Sequence, residues 1–313
     1  MQLTTQIKVP KFPTITHSAK VMILGSCFSS CIAEKLEQLR FEVISNPFGI
    51  SYNPISIANT LKRLTFGTRF TSEELQEHNG LYYSPDHHGK FSSTSKVQTL
   101  DNINTQYDKA STAIKSTTHF IITLGSSVVY ERDGKIWNNC HKLPQNLFCK
   151  HRLSVDEVTE ALSPIIEQYK ESKFILTVSP IRYMTDNNSV NKATLLLAVE
   201  ILCKTFDNAV YFPAYEILLD ELRDYRFYGD DMLHPSALAE DIIFDRFAES
   251  YFTKNTLALN KAITKLTAMQ AHRPLHPETD EYIRFKSQLQ EYEKIVSNAL
   301  VSSRHSYDDS PIS

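Results

Sequence analysis

Five short apolar runs alternate with amphipathic segments along the first 250 residues of the chain. The runs are rich in Val, Ile and Phe, and several show no alternation of apolar and polar residues, which is typical of strands covered on both faces. Between them, apolar residues recur every three or four positions, as in helices that pack on a sheet. The pattern predicts an α/β fold with a mostly parallel five-stranded sheet. The predicted strands are residues 21–24, 41–45, 119–124, 173–178 and 209–213.

The same pattern divides the chain into a large α/β domain and a helical C-terminal part. The domain is predicted to span residues 1–253, with helices at 28–39, 54–64, 99–115, 154–169 and 191–205. Two insertions, at about 66–98 and 128–150, interrupt the alternation. The second contains Asp133-Gly134 between two extended runs, which is a strong signal for a β-hairpin. Polar helices are expected over 254–300, followed by a frayed tail at 301–313.

Composition and charge exclude several classes of partner. The formal net charge is −3 and no dense block of Lys or Arg occurs, so nucleic acid is not expected as a partner. No apolar run is long enough to span a bilayer, which predicts a soluble, cytoplasmic protein. Five cysteines, an odd number without an export signal, favour free thiols over disulfides. A small molecule or another protein is the expected partner, and the oligomeric state stays open.

The segment Gly25-Ser26-Cys27 lies where the first predicted strand ends and the first predicted helix begins. Ligands of open parallel sheets gather at this edge. The positive end of the helix would stabilise a thiolate on Cys27, which is the form that acts as a nucleophile. Ser is a preferred N-cap, so Ser26 is predicted to cap the helix while Cys27 attacks. Two alternatives stay open: Ser26 is the nucleophile, or Cys27 only packs in the core.

A second segment offers a base for this nucleophile. Asp231 and His234 lie three residues apart, just before a helix predicted to begin near Pro235. Such spacing lets one turn supply both the base and the carboxylate that orients it, as in a catalytic triad. Asp230 is an alternative orienting residue. The competing interpretation is a surface histidine beside two solvated aspartates.

Several segments together resemble the GSCFA domain family, which is related to the SGNH (GDSL-type) hydrolase superfamily. The resemblance covers about residues 20–250, and Ser29 replaces the Ala of the family's Gly-Ser-Cys-Phe-Ala signature. It implies a three-layer αβα sandwich and acyl-transfer chemistry on esters, by hydrolysis or by transfer to another acceptor. The segments that carry it are LGSCFSSCIAEKL, NPFGISYNPISIA, ITLGSSVVY, NCHKLP, TVSPIR, FPAYEILLDELRDYRFY and DDMLHPS.

The superfamily resemblance also implies roles for individual residues. Its register places Cys27 at the nucleophile, and Asp231 and His234 match its late Asp-x-x-His motif. In the implied oxyanion hole, Gly49 fits the glycine position and Ser127 occupies the place of an asparagine. A serine hydroxyl donates only one hydrogen bond and has a shorter reach than an amide. The candidates for the missing donor are Asn53, Asn139 and His141.

A substrate pocket is expected above the strand ends. No Cys or His pair has the spacing of a zinc site, so no metal is predicted. No cofactor is predicted either, although acyl-coenzyme A is one candidate for the acyl donor. The leading hypothesis is an esterase or O-acyltransferase acting on a carbohydrate or a small acyl ester or thioester. The alternative is an inactive SGNH-fold protein that binds a carbohydrate or an acylated ligand. The predicted pocket residues are His87, His88, Trp137, Asn139 and His141.

Overall fold

The structure, a computed structural model, describes residues 5–183 and 187–305. The strands are β1 (Lys20–Gly25), β2 (Glu42–Ser45), β3 (Gln76–His78), β4 (Leu81–Tyr83), β5 (His119–Leu124), β6 (Val128–Arg132), β7 (Lys135–Ile136), β8 (Cys149–Arg152), β9 (Lys173–Val178) and β10 (Ala209–Phe212). The helices are α1 (Cys27–Gln38), α2 (Pro54–Phe66), α3 (Lys96–Ala113), α4 (Val155–Gln168), α5 (Asn188–Thr205), the short α6 (Ala214–Glu216), α7 (Ala237–Tyr251), α8 (Lys254–Ala271) and α9 (Asp280–His305).

The central sheet has five parallel strands in the order β10-β9-β5-β1-β2. Successive side chains of a strand point to opposite faces of the sheet. On β1, Met22 and Leu24 accordingly pack in one apolar cluster with α2 to α5, whereas Val21 and Ile23 pack in another with α1 and α7. The chain is therefore a three-layer α/β structure, as the sequence and the resemblance predicted.

Both insertions contain regular structure. In the first, β3 and β4 form a small antiparallel hairpin that the irregular sequence did not reveal. In the second, β6 and β7 form the predicted hairpin, with Asp133 and Gly134 both at positive φ. Strand β8 was not predicted; it pairs with the other side of β6 and completes an outer three-stranded sheet.

The C-terminal helices α8 and α9 form a hairpin with an apolar core of its own. Helix α9 continues to His305, so the predicted tail begins too early, and residues 306–313 lie outside the described residues. Arg304 donates a hydrogen bond to the carbonyl of Arg40 (2.9 Å), which precedes β2. The hairpin thus contacts the amino-terminal edge of the sheet. Among the described residues, no helix is long and apolar enough to cross a membrane.

Candidate active site

The turn between β1 and α1 places Cys27 at the carboxyl edge of the sheet. Gly25 adopts a φ of +141°, and a Cβ atom there would lie 2.1 Å from the carbonyl oxygen of Thr123. Its N–H donates to the side chain of Asn46 (2.9 Å). Because only glycine fits this close approach, the chain turns sharply and α1 begins at Cys27.

Ser26 does not cap α1 with its side chain, contrary to the sequence prediction. It is fully buried, and its Oγ has no hydrogen-bond partner within the described residues. Its carbonyl instead accepts bonds from the N–H (2.8 Å) and the Oγ (2.6 Å) of Ser29. Asn46 donates to the same Ser29 Oγ (2.7 Å). Ser29 therefore anchors the first turn, a role that an alanine at this position could not fill.

Two tyrosines lie on one side of the site, and one of them contacts the thiol of Cys27. The Sγ atom is partly buried and lies 3.4 Å from the hydroxyl of Tyr52, within hydrogen-bond contact. The ring of Tyr183 meets that of Tyr52 edge-on, with centroids 6.3 Å apart. Burial raises the pKa of both tyrosines, and the nearby thiol adds to the effect, so both phenols are neutral at physiological pH. In the sequence, Tyr52 and Tyr183 are marked only by their place after the ends of β2 and β9.

Asp231 and His234 form the pair that their spacing predicted. His234 donates from Nδ1 to Oδ2 of Asp231 (2.6 Å), while the other carboxylate oxygen accepts the backbone N–H groups of Leu233 and His234 (2.9 Å each). These bonds lower the pKa of Asp231 to about 2. The partner of His234 is thus Asp231 and not Asp230. With a proton fixed on Nδ1, the Nε2 atom is left with a lone pair that can accept a proton.

Contacts on two sides hold His234 at the edge of the sheet where Cys27 lies. The backbone N–H of Arg182 donates to the carbonyl of Leu233 (3.1 Å), which connects the His234 loop to the segment that carries Tyr183. Beyond His234, α7 packs against α1, with an ion pair between Lys35 and Asp241. Both helices begin at this edge, which brings the two halves of the proposed triad to one region.

Neither residue predicted for the oxyanion hole has a free donor. The N–H of Gly49 donates to the carbonyl of Asn46 (2.7 Å) within a turn. Ser127 is fully buried; its N–H (2.6 Å) and Oγ (2.8 Å) both donate to Oδ1 of Asn191. Asn191 lies on α5, 64 residues further along the chain, and was not predicted from the sequence. Both assignments are therefore corrected: Gly49 shapes a turn, and Ser127 holds Asn191.

A sequence profile of the GSCFA family matches residues 20–247. The chain belongs to the GSCFA family. The match runs from β1 into α7, so this GSCFA domain includes Cys27 and the Asp231–His234 pair as well as the outer sheet. No curated protein matches the chain.

A cavity of about 320 Å³ in the GSCFA domain borders Tyr52, the residue whose hydroxyl contacts the thiol of Cys27. Trp137, Asn139 and His141 line it, as the sequence predicted for a substrate pocket, and so does Asn53. The amide of Asn53, however, is committed to capping α2: it accepts the N–H of Ser56 and donates to its hydroxyl. The other residues of the wall are Tyr52, Ser126, Val128, Tyr130, Asn138, Cys140, Lys142, Lys150, Tyr183 and Asn191.

The two other histidines predicted for the pocket lie elsewhere. His87 is fully buried between the rings of Phe48 and Phe70, and burial lowers its pKa to about 3. His88 packs against Gly49, and its Nδ1 accepts the N–H of Lys90 (3.2 Å). His87 is thus part of the core of the insertion between α2 and α3, and its assignment to substrate binding is wrong. His88 does not line the cavity, and a role for it in substrate binding stays a prediction.

A buried lysine behind the cavity was also missed by the sequence analysis. Lys192 is 1% exposed, and its Nζ donates to the carbonyls of Gly125 (2.8 Å) and Ser179 (2.9 Å). Burial lowers its pKa to about 7. A lysine in the polar first turn of a helix normally faces water, so the sequence gave no signal of this position. It joins the ends of β5 and β9 behind the site.

Cys31 lies one turn along α1 from Cys27, but its properties do not favour redox exchange between these two cysteines. Both thiols are free. Burial and the nearby carboxylate of Glu240 raise the pKa of Cys31 to about 12, so it carries almost no thiolate at neutral pH. The exchange chemistry of a redox pair needs that thiolate.

Proposed function

We propose that this GSCFA protein is an SGNH-like acyl-transfer enzyme, an esterase or O-acyltransferase that uses Cys27, His234 and Asp231. The observation that carries the proposal is the 2.6 Å hydrogen bond between His234 and Asp231, in a loop anchored to the edge of the sheet that holds Cys27. Both side chains are about half exposed (47% and 46%), so His234 is open to a substrate while Asp231 holds its orientation.

The proposed chemistry follows from the protonation states. His234 accepts the proton of the Cys27 thiol at Nε2, and the thiolate attacks the acyl carbonyl carbon to give a tetrahedral oxyanion. Collapse of this intermediate breaks the ester or thioester bond, and the imidazolium returns the proton to the departing alcohol or thiol. Water or a substrate hydroxyl then takes the acyl group from Cys27 by the same sequence of steps. Asp231 stabilises the imidazolium and holds its orientation.

The walls of the cavity support a carbohydrate or a small acyl ester as substrate. Tyr130 and Trp137 offer aromatic surface, while the side-chain oxygen of Asn138 and the amide of Asn139 can pair with hydroxyl groups. Acyl-coenzyme A is a candidate donor. A cytoplasmic location is supported by the five free cysteines, because thiols stay reduced in that compartment.

One observation favours a second candidate, an inactive protein that binds a carbohydrate or an acylated ligand. The N–H of Gly49 and the hydroxyl of Ser127 are both occupied by other bonds. Loss of one oxyanion donor costs about 100-fold or more in rate. Unless another group supplies that donor, the site would bind its ligand without turnover.

The proposal is tested by turnover of p-nitrophenyl acetate and of acetyl-coenzyme A. We expect Cys27→Ala and His234→Ala each to lower kcat by about 100-fold or more. Cys149→Ala, which removes an exposed free thiol on β8, serves as the matched control and should retain full activity. Activity that survives in Cys27→Ala but disappears in Ser26→Ala would assign the nucleophile to Ser26. Activity that survives in both would remove the proposed mechanism.

A further inference from the structure

We propose that the side-chain amide of Asn191 donates hydrogen bonds to the oxyanion, and that Ser127 is the residue that positions it. This inference rests on the proposed acyl transfer through Cys27. The donor would come from helix α5 and not from the turn after β5, where the superfamily resemblance places an asparagine and this chain has Ser127.

The hydrogen bonds around Asn191 define the orientation of its amide. A backbone N–H can only donate, so the atom that accepts the N–H of Ser127 at 2.6 Å must be the amide oxygen. The hydroxyls of Ser127 (2.8 Å) and Ser126 (3.3 Å) converge on the same oxygen. With its oxygen held by three donors, the amide cannot flip without losing all of them. Its Nδ2 is thereby fixed on the opposite side.

The Nδ2 group of Asn191 is the part of the amide that can donate to a ligand in the cavity. The side chain lines the cavity wall, and no partner of Nδ2 occurs in residues 5–183 and 187–305. Its N–H donors are therefore available to a ligand, and one of them can point at a given ligand oxygen. Hydrogen bonds from a fixed amide cost no reorganisation when negative charge develops on a substrate oxygen.

The same backbone that holds Asn191 also approaches Cys27. The carbonyl of Tyr52 accepts the N–H groups of Gly125 (2.9 Å) and Ser126 (2.8 Å), and the hydroxyl of Tyr52 contacts the thiol (3.4 Å). Tyr52 and Asn191 line one cavity. Tyr52 thus connects the cavity wall that contains Asn191 to the thiol of Cys27.

Two other amides of the cavity wall already use one N–H donor each. The amide nitrogen of Asn53 donates to the hydroxyl of Ser56 (2.9 Å), and that of Asn138 donates to the carbonyl of Ile50 (3.2 Å). Asn139 accepts the N–H of His141 and lies beyond β7, in the outer insertion. Among the amides of the wall it is a competitor of Asn191, and it provides a second arm for the test.

The test compares two reactions of Cys27. Acylation by p-nitrophenyl acetate passes through an oxyanion, whereas alkylation by iodoacetamide displaces iodide at a saturated carbon and does not. Both rate constants are followed by intact mass. Their ratio, acylation over alkylation, reports oxyanion stabilisation and cancels changes in the thiol itself.

Asn191→Asp is the decisive variant, because it keeps an oxygen for Ser127 and removes both N–H donors. We expect the ratio to fall by about 100-fold or more. The introduced carboxylate also repels an oxyanion, so the ratio should recover as the pH falls and this carboxyl group is protonated. Ser127→Ala should lower the ratio by a smaller factor, because the backbone N–H still holds the amide. The matched control Thr194→Val, at a buried side chain that bonds to Val190 in the same helix, should leave the ratio unchanged.

Each other outcome has a defined meaning. A wild-type ratio in Asn191→Asp, with Cys27 still acylated, overturns this inference and leaves the proposed function intact. A ratio that falls only in Asn139→Ala assigns the donor to the outer insertion and also overturns it. Wild-type protein that is alkylated but never acylated at Cys27 overturns the proposed function together with this inference.

Discussion

Single residues fix the geometry of the site. Gly25 and Gly80 both have positive φ, but only Gly25 approaches other backbone closely, whereas nothing lies within 4 Å of a Cβ at Gly80. Alanine at Gly25 would meet the carbonyl of Thr123 and force β1 away from β5. The turn before Cys27 thus depends on the absence of a single methyl group.

We expect Gly25→Ala to lower the free energy of unfolding by roughly 3 kcal/mol, because backbone strain and overpacking both contribute. Gly80→Ala introduces backbone strain without a close contact, so it should lower the free energy of unfolding by about 1 kcal/mol. Urea unfolding of the two variants measures the difference. Equal losses would show that the contact with Thr123 does not constrain the turn.

The charge on Asp231 is expected to persist across the whole working range of pH. Its pKa is lowered from 3.8 to about 2, so the carboxylate's contribution to the fold is complete above about pH 4 and is lost as the pH falls towards 2. The pH profile of kcat should show no inflection from Asp231 between pH 4 and 9.

Asp231→Asn should lower kcat by about 100-fold or more, because the neutral amide no longer stabilises the imidazolium of His234. Asp230→Asn, a change of the adjacent exposed carboxylate, provides the comparison and should retain activity. Similar kcat values for the two variants would contradict the assignment of Asp231 as the orienting residue.

How much of the site the sequence predicts depends on how local its contacts are. Asp231 and His234 lie within one turn, so their spacing was sufficient to pair them. Asn191 is held by Ser127, and Tyr52 reaches Cys27 across 25 residues, so no local pattern contains these contacts. His87 shows the opposite error, because a polar residue type in an irregular segment suggested a ligand site where the fold buries it.

At the level of elements, the strands could be predicted closely because burial on both faces leaves an unbroken apolar run. The strands β5 and β9 coincide with the predicted residues 119–124 and 173–178. The short, half-exposed strands β3, β4 and β8 were missed, since three or four residues with mixed burial carry too little periodicity.

Helix α5 carries the buried Lys192, which connects the ends of two strands. The amine of this lysine makes the free energy of unfolding of the protein dependent on pH. Burial lowers the pKa of this lysine from its ordinary value of 10.5 to about 7. Below pH 7 the amine is protonated in both the folded and the unfolded chain, so the free energy of unfolding does not change with pH on its account. Between pH 7 and 10.5 the unfolded chain binds a proton that the folded chain lacks. Rising pH therefore favours the folded state over this window.

Relative to Lys192→Met, the wild-type free energy of unfolding should increase by about 1 kcal/mol per pH unit from pH 7 to 10. Urea unfolding at pH 6, 7.5 and 9 measures this difference. Lys204→Met, which changes an exposed lysine at the other end of α5, should show no such trend. Parallel pH curves for wild type and Lys192→Met would contradict the burial of the amine.

At the scale of the whole molecule, the α8–α9 hairpin and the candidate site occupy opposite edges of the sheet. The hairpin reaches the body of the protein at Arg40, on the side where β2 begins. Cys27 and His234 lie where the strands end. We therefore expect the stability of the hairpin to be independent of catalysis.

Ile263→Ala, in the core of the hairpin, should lower local stability by about 2–5 kcal/mol and increase proteolysis within α8 and α9. Turnover of p-nitrophenyl acetate should stay at the wild-type rate. A loss of kcat that parallels the proteolysis would show that the hairpin supports the site.

The central claim is that Cys27 carries the acyl group. The most direct measurement is peptide mapping by mass spectrometry after a short incubation with p-nitrophenyl acetate and an acid quench. We predict an acetyl group on Cys27 in the wild-type protein. In His234→Ala the same group should form at a much lower rate. Acetyl groups that appear on Ser26, or only on the exposed Cys149, would contradict the assignment of Cys27 as the nucleophile.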